Sequence, residues 1–171
     1  MHMKISVTDK PVKRGMLGVK LVEEGRDGVI EVRDGRETLI LVIGKRGTMT
    51  RRKLMLLARR VVREALTKKY SELAIDFKQC QFGHLKIAPA DLAELLAVNF
   101  IMAEFSFQEF LTVPKEGFPK MKNIFLTGVE SKEVKAGIAR GSIIGAEVNR
   151  SRHIATMPGG DMTPEILARH A

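Results

Sequence analysis

The first third of the chain alternates apolar and polar residues with the two-residue period of a half-exposed β-strand. The pattern predicts strands at residues 4–8, 18–22, 29–33 and 39–43. Asp34-Gly35 stands between the last two, and this dipeptide favours a tight hairpin because both central residues of that turn take positive φ angles. Residues 39–43 are apolar at every position, which is typical of a central strand covered on both faces.

Apolar residues at three- and four-residue spacing predict helices in the remainder of the chain. Helices are expected at about residues 50–69, 89–103 and 131–155, with strands at 73–77 and 124–127 between them. From residue 92 to residue 103 the second helix is polar only at Glu94 and Asn99, so it should be buried on most sides. The order strand, helix, strand around the first helix implies a parallel pair joined by a right-handed crossover.

Two further patterns concern the packing of the predicted helices. Three glycines spaced by four residues form a smooth stripe on the third helix, namely Gly137, Gly141 and Gly145. The stripe should let this helix lie close against the sheet or a neighbouring helix.

Four phenylalanines follow the second helix and are expected to close one end of the core, namely Phe105, Phe107, Phe110 and Phe118.

Length and composition indicate one soluble globular unit with a single core. The chain has 171 residues, of which 44% are hydrophobic and 29% charged, well away from the composition of disordered proteins. Its one cysteine, Cys80, cannot form an internal disulfide, which fits a reducing cytoplasm. No stretch approaches the roughly 18 apolar residues of a membrane span, and the N-terminus lacks the apolar run of a signal peptide. We therefore expect a cytoplasmic protein without a membrane partner.

The net charge of +9 favours polyanionic partners by long-range attraction. Four arginines on one side of the first helix form a candidate nucleic-acid contact surface, namely Arg52, Arg59, Arg60 and Arg63. A solvated helix face explains the same residues, and it is the favoured interpretation because no aromatic stacking residues are interleaved with the arginines. DNA is therefore kept as a candidate partner only.

A short glycine loop after the fourth strand is a candidate anion-binding site. It consists of Gly44, Lys45, Arg46 and Gly47. The loop joins a strand to a helix and offers backbone N–H groups together with two cations. It lacks the full spacing of a nucleotide P-loop, and glycine loops of this kind are more often structural turns.

The histidines and the C-terminal acidic residues show no catalytic pattern. The four histidines are His2, His84, His153 and His170. No two of them have the three- or four-residue spacing of a helical metal site, so they are expected to be ordinary surface or core residues. Asp161 and Glu165 are better explained by a turn and a helix start than by acid-base chemistry.

The C-terminal segment begins a new helix. Pro158-Gly159-Gly160 ends the third helix, Thr163 is a good N-cap, and Pro164 fits the first helical position. The chain stops about two turns later. We therefore expect the start of a further domain there.

The region of the third helix and the following turn closely resembles the domain junction of leucyl (cytosol) aminopeptidases. The similar segment runs from Arg140-Gly141-Ser142 through Asn149-Arg150-Ser151-Arg152 to Pro158-Gly159-Gly160-Asp161 and Pro164. In that family a long helix ends in an Arg-Asp-Leu-Val-Asn-x-Pro-x-Asn-x-x-x-Pro type sequence before the metal-dependent peptidase domain. Residues 41–45, 103–107 and 118–126 are similar to family segments too, in the correct order. Thr156 and Gly160 depart from the pattern, since asparagine often stands there.

The resemblance implies a three-layer, macro-domain-like α/β fold with a mixed central sheet flanked by helices. It divides the chain into a macro-like domain at 1–130, an interdomain helix at 131–157 and the start of a peptidase domain at 158–171. The family's two-metal site, which uses zinc or manganese, is implied to lie beyond Ala171, as are its catalytic residues. No catalytic or metal-binding residue is therefore assigned in this chain.

The function implied is that of the non-catalytic N-terminal domain of a metalloaminopeptidase, an enzyme that removes N-terminal amino acids from peptides. The domain would serve assembly and active-site access, its partners being its own peptidase domain and further subunits in a hexamer. Two alternatives stay open. One is a DNA-binding module that uses the basic helix face, and the other is a macro-like binder of nucleotides or ADP-ribose.

Overall fold

The structure of the chain is a computed structural model that describes residues 3–8 and 15–170. Its strands are β1 (Lys4–Thr8), β2 (Leu17–Val22), β3 (Val29–Arg33), β4 (Arg36–Val42), β5 (Glu72–Asp76) and β6 (Asn123–Thr127). Its α-helices are α1 (Arg51–Thr67), α2 (Pro89–Glu104), α3 (Lys132–Thr156) and α4 (Pro164–His170). Short 3-10 turns occupy Arg46–Thr48, Phe77–Cys80 and Gly83–Leu85. The predicted strands and helices are confirmed, each with its ends displaced by no more than a few residues.

The six strands form one mixed sheet in the order β1-β6-β5-β2-β4-β3. Five strands are parallel, and β3 pairs antiparallel with β4 at one edge. The β3–β4 hairpin turns at Asp34 and Gly35, whose φ angles are 51° and 69°, as the sequence predicts. The expected α/β class with a mixed central sheet flanked by helices is confirmed.

The two strands on either side of α1 are parallel, as predicted, but they do not pair with each other. β4 and β5 do run in the same direction, but β2 lies between them and pairs with both. A crossover helix fixes the relative direction of the strands it joins. It leaves open whether another strand enters the space between them.

The core lies between the helices and one face of the sheet. On that face Leu17 of β2 is in register with Leu73 of β5. Val19 of β2 stands between Leu39 of β4 and Ile75 of β5. These side chains join the buried sides of α1, α2 and the first turns of α3 in a single apolar cluster. The apolar repeats read from the sequence therefore converge on one core.

Local sequence signals place the ends of α1 and α2. The Thr50 hydroxyl accepts a hydrogen bond from the backbone N–H of Lys53 and caps α1. Pro89 occupies the first turn of α2, where its missing N–H has no cost. As predicted, α2 is buried on most sides, and Asn99 is the single polar residue buried among those described.

The glycine stripe of α3 packs against α2, which confirms the expectation of a close helix neighbour. A β-carbon at Gly137 would overlap the carbonyl oxygen of Ala90. At Gly145 it would lie 2.9 Å from Cβ of Ile101. The α2 and α3 backbones therefore approach each other more closely than any residue with a side chain would permit at these positions.

The expectation that four phenylalanines close one end of the core is wrong. Phe105, Phe107 and Phe118 are only partly buried, and Phe110 keeps 60% of its surface exposed. Phe107 contacts Phe110 and the ring of His153 on α3, with ring centroids 5.8 and 5.4 Å apart. The core is instead closed by Phe77, Phe100 and aliphatic residues, which the regular elements carry.

Candidate functional site

The candidate anion loop lies at the carboxyl end of β4, the edge where open α/β sheets commonly bind ligands. Gly44 has a φ angle of 70°, which turns the chain out of the strand. The backbone N–H of Arg46 donates a 2.7 Å hydrogen bond to the Glu23 carboxylate. The loop does bind an anionic group, but that group belongs to the chain itself.

The Arg46 side chain is also held by neighbouring groups. Its guanidinium donates to the carbonyl oxygens of Gln79 and Gln81, at 2.9 and 3.2 Å. It lies over the Phe82 ring, 4.6 Å from the centroid. Of the two cations in the loop, Lys45 is exposed, whereas Arg46 is partly buried. The geometry therefore makes this loop a structural clamp on residues 77–82.

Gln79 fills the gap that opens between β2 and β5 beyond their short pairing. Its side-chain oxygen accepts from the backbone N–H of Leu21 at 2.8 Å, and its amide group donates to the Val19 carbonyl oxygen at 3.4 Å. The side chain thus substitutes for a strand partner along β2.

The candidate nucleic-acid surface on α1 loses two of its four arginines to contacts within the fold. Arg59 donates from Nε to Asn99 Oδ1 at 2.8 Å and lies against α2. Arg60 pairs with Asp27 at 2.6 Å and with Glu64 at 3.9 Å. Arg52 and Arg63 are exposed, with no acidic partner within 4 Å among the described residues. The sequence alone could not distinguish Arg59 and Arg60 from the two exposed arginines, because Asn99 and Asp27 lie far from them in the chain.

His84 and His153 have separate partners in the described part of the chain. His84 Nε2 lies 2.7 Å from the carbonyl oxygen of Met49, and His153 Nε2 lies 3.0 Å from Glu109 Oε1. His2 lies outside the described residues. Across residues 3–8 and 15–170, no three His, Cys, Asp or Glu side chains form a group that could hold a metal ion.

Cys80 is the one free thiol, and its environment makes it inert. It is buried in the core beside the clamp on residues 77–82. Burial, with the nearby Asp76 carboxylate in second place, raises the pKa of the Cys80 thiol to about 12. The thiolate needed for nucleophilic chemistry is therefore absent at neutral pH.

A cavity of about 670 Å³, which no sequence pattern predicted, lies at the opposite, amino edge of the sheet. Four lysines and two aromatic residues line it, namely Lys69, Lys115, Lys120, Lys122, Tyr70 and Phe118. They come from the end of α1 and from the segment before β6, more than 40 positions apart in the chain. The cluster of lysines at 115–122 was the available signal, but its aromatic partner Tyr70 is visible only in three dimensions.

A second surface feature is an open apolar groove along the C-terminal half of α3. Its volume is about 580 Å³, and its apolar lining comes from Ile143, Ile144, Val148 and Ala155. Ile143 is 67% exposed and Ile144 is 44% exposed. At the same end of α3, the Arg152 guanidinium covers the Phe105 ring at 4.4 Å.

Within the described part of the chain, no helix combines the length and apolar composition that a membrane crossing requires.

Two curated proteins are similar to the chain in sequence, whereas no protein-family model matches it. One is a probable cytosol aminopeptidase of Bdellovibrio bacteriovorus, 34% identical over 101 residues, or 59% of this chain and 20% of the relative. The other is a probable cytosol aminopeptidase of Bacillus subtilis, 29% identical over 86 residues, or 50% of this chain and 17% of the relative. The chain thus spans about a fifth of the length of the curated relatives it matches.

Solved structures share the fold at low sequence identity. A mutant of tomato leucine aminopeptidase superposes with a TM-score of 0.76 and 14% identity, covering 98% of this chain and 41% of that one. The bottromycin maturation enzyme BotP in complex with Mn gives a TM-score of 0.68 and 15% identity, covering 92% and 35%. The resemblance to leucyl (cytosol) aminopeptidases is confirmed, and the fold is that of the N-terminal domain of leucine aminopeptidase.

Proposed function

We propose, from the similarity to leucyl (cytosol) aminopeptidases, that this chain forms the non-catalytic N-terminal domain of such an enzyme. The parent enzyme would remove N-terminal amino acids from peptides in the cytoplasm. The observation that carries the proposal is the 101-residue alignment with a probable cytosol aminopeptidase, together with a fold match over 98% of the chain. Because the alignment spans only about a fifth of the relative, the activity of the parent belongs to the proposal.

The non-catalytic part of the proposal is supported by the donor groups of the chain. Hydrolysis by two metal ions needs several carboxylate, imidazole or similar ligands around one position. The described residues bring no such group together, so they do not fit the two-metal site, zinc or manganese, that the family implies. In this proposal the metal ions and the catalytic residues belong to the rest of the parent enzyme.

The role in assembly is supported by the exposed apolar side of α3. Isolated apolar residues on a surface are ordinary, but a contiguous groove lined by Ile143, Ile144 and Val148 is typical of an interaction surface. In the proposal residues 1–130 form the domain, residues 131–157 the interdomain helix, and residues 158–171 the start of the peptidase domain. The α3 groove would then face the peptidase domain or a further subunit of a hexamer.

A segment exchange tests the proposal. The segment of the Bdellovibrio bacteriovorus relative that aligns with this chain is replaced by the chain's own sequence, and the hydrolysis of leucine p-nitroanilide is measured with manganese or zinc. We expect metal-dependent hydrolysis by the chimera and none by the isolated chain. A chimera that folds and has the oligomeric state of the unaltered relative, yet hydrolyses nothing, would contradict the proposal.

A further inference from the structure

The cavity at the amino edge of the sheet has properties that the proposed aminopeptidase role does not use. It is formed where α1 ends and β5 begins, and its other wall is the segment at 114–122 that leads into β6. Its volume of about 670 Å³ falls in the range of roughly 300 to 1,000 Å³ that is usual for small-molecule sites.

The walls of the cavity are fixed by backbone contacts. Lys69 has a φ angle of 64°, and the N–H of Tyr70 bonds back to the Ala65 carbonyl oxygen at 2.9 Å, so α1 ends in a defined turn. On the other wall the N–H of Gly117 donates to the Pro114 carbonyl oxygen at 2.8 Å. The two walls meet where the N–H of Lys122 donates to the Ser71 carbonyl oxygen at 2.7 Å.

The charge of the lining favours an anion. Four lysines face one acidic residue, Glu116, around the cavity. Glu116 pairs with Lys69 at 3.2 Å, but both side chains are 80% exposed, so this pair is weak and easily displaced. Lys115, Lys120 and Lys122 have no acidic partner within 4 Å among the described residues. A cluster of ammonium groups without counter-ions attracts a phosphate group.

The apolar part of the lining favours a flat ring next to the anion. Tyr70 and Phe118 supply two aromatic rings, and Pro114 and Pro119 add rigid apolar surface. Burial, with the Glu37 carboxylate of β4 in second place, raises the pKa of the Tyr70 hydroxyl, and the ring lies partly buried against the sheet. Stacking of a base on an aromatic side chain is worth about 1–3 kcal/mol, as measured by alanine substitution.

From this combination we propose that the cavity binds a small molecule that carries both a phosphate group and a flat aromatic ring, of the nucleoside monophosphate type. The lysines hold the phosphate, and Tyr70 and Phe118 contact the ring. The site is independent of the aminopeptidase assignment. A single concave pocket of this size suits one small ligand better than it suits a strand of nucleic acid, which would need a continuous basic groove.

The chain offers a site-specific probe for this proposal. Tyr70 is its only tyrosine and it has no tryptophan, so the tyrosine NMR signals and the intrinsic fluorescence above the phenylalanine band arise at the cavity. The probe ligands are AMP, ribose 5-phosphate and inorganic phosphate. We expect AMP to shift the Tyr70 ring signals in a saturable way, with weaker binding of ribose 5-phosphate because it lacks the ring.

Charge variants supply the controls. We expect Lys120→Gln combined with Lys122→Gln to weaken AMP binding by about fivefold or more, because two nearby positive charges are lost. Glu116→Gln should tighten binding, since it removes the one negative charge of the lining. Lys132→Gln, at an exposed lysine at the start of α3 and outside the cavity lining, removes one positive charge and should leave AMP binding unaltered. Circular dichroism confirms that each variant is folded.

Three results would overturn the proposal. One is the absence of any saturable change in the Tyr70 signals up to millimolar AMP. Another is an equal loss of binding in Lys132→Gln, which would mean diffuse charge attraction. The third is a Tyr70 response to a single-stranded oligonucleotide but not to AMP, which would make the surface a nucleic-acid contact instead. None of these results bears on peptide hydrolysis, so the aminopeptidase proposal is tested separately.

Discussion

Gly141 of α3 lies directly against the main chain of Glu94 in α2. A β-carbon built on Gly141 would stand 2.5 Å from the Glu94 carbonyl oxygen and 2.8 Å from Cβ of Ala97. Neither group can move without moving the helix that carries it. The contact explains why a helix of 25 residues contains three glycines spaced by four residues on one face.

Substitution of Gly141 by alanine should therefore destabilise the fold. Separating two packed helices costs about 1–3 kcal/mol, whereas alanine gains only about 1 kcal/mol over glycine in helix propensity. We expect a net loss of about 1–2 kcal/mol in the free energy of unfolding, measured by urea denaturation. Gly160→Ala is the matched control, since no atom lies within 4 Å of its added methyl. Equal stability of the two variants would refute the close packing.

The buried Asn99 should be coupled energetically to Arg59. Asn99 accepts from Arg59 Nε at 2.8 Å and donates to the Leu95 carbonyl oxygen at 2.8 Å. Asn99→Ala leaves the guanidinium without its acceptor, so we expect a loss of about 1–3 kcal/mol. A double-mutant cycle with Arg59→Met should give a coupling energy of about 1 kcal/mol. Additive effects of the two substitutions would show that the hydrogen bond contributes nothing to stability.

The Cys80 thiol should be unreactive in the folded protein. Its side chain is buried, and its pKa is raised to about 12, mainly by burial, so almost no thiolate forms at pH 8. We expect reaction with a chromogenic disulfide reagent at a rate set by unfolding, rising steeply as urea is added. A rate equal to that of a free cysteine in native buffer would contradict this placement.

Asp27 should make a small, pH-dependent contribution to stability. The hydrogen bond from Arg60, followed by that from the Val42 N–H, lowers the pKa of Asp27 below its ordinary value of 3.8. A lowered folded-state pKa stabilises the fold above pH 3.8, and the contribution disappears as the pH falls through the folded value. Because the carboxylate is 45% exposed, we expect Asp27→Asn to cost no more than about 1 kcal/mol at pH 7. The free energies of unfolding of the two proteins should become equal in acid. If Asp27→Asn is still less stable there, the loss comes from packing and not from the charge of Asp27.

Local signals in the sequence were sufficient for most of the secondary structure. Asp34-Gly35 predicted the β3–β4 hairpin, and Thr50 and Thr163 predicted the starts of α1 and α4. These predictions succeed because turns and caps depend on residues that are close together in the chain. The strand order could not be read in the same way. Nothing in β4, α1 or β5 indicates that β2 lies between the two strands.

The candidate sites were harder to predict, because whether a charged side chain is free to bind a ligand depends on residues that lie far from it in the sequence. Arg46 and Arg59 look like free cations in the sequence, but Gln79 and Asn99 satisfy their donors in the fold. The cavity around Tyr70 is assembled from segments that the sequence separates by more than 40 residues.

The most direct test of the central claim is the rate of leucine p-nitroanilide hydrolysis, measured together for the isolated chain and for the Bdellovibrio bacteriovorus enzyme carrying this chain in exchange for its aligned segment. With manganese or zinc present, the account predicts no hydrolysis above buffer by the chain and metal-dependent hydrolysis by the chimera. Metal-dependent hydrolysis by the purified chain alone would contradict the claim that it is a non-catalytic domain.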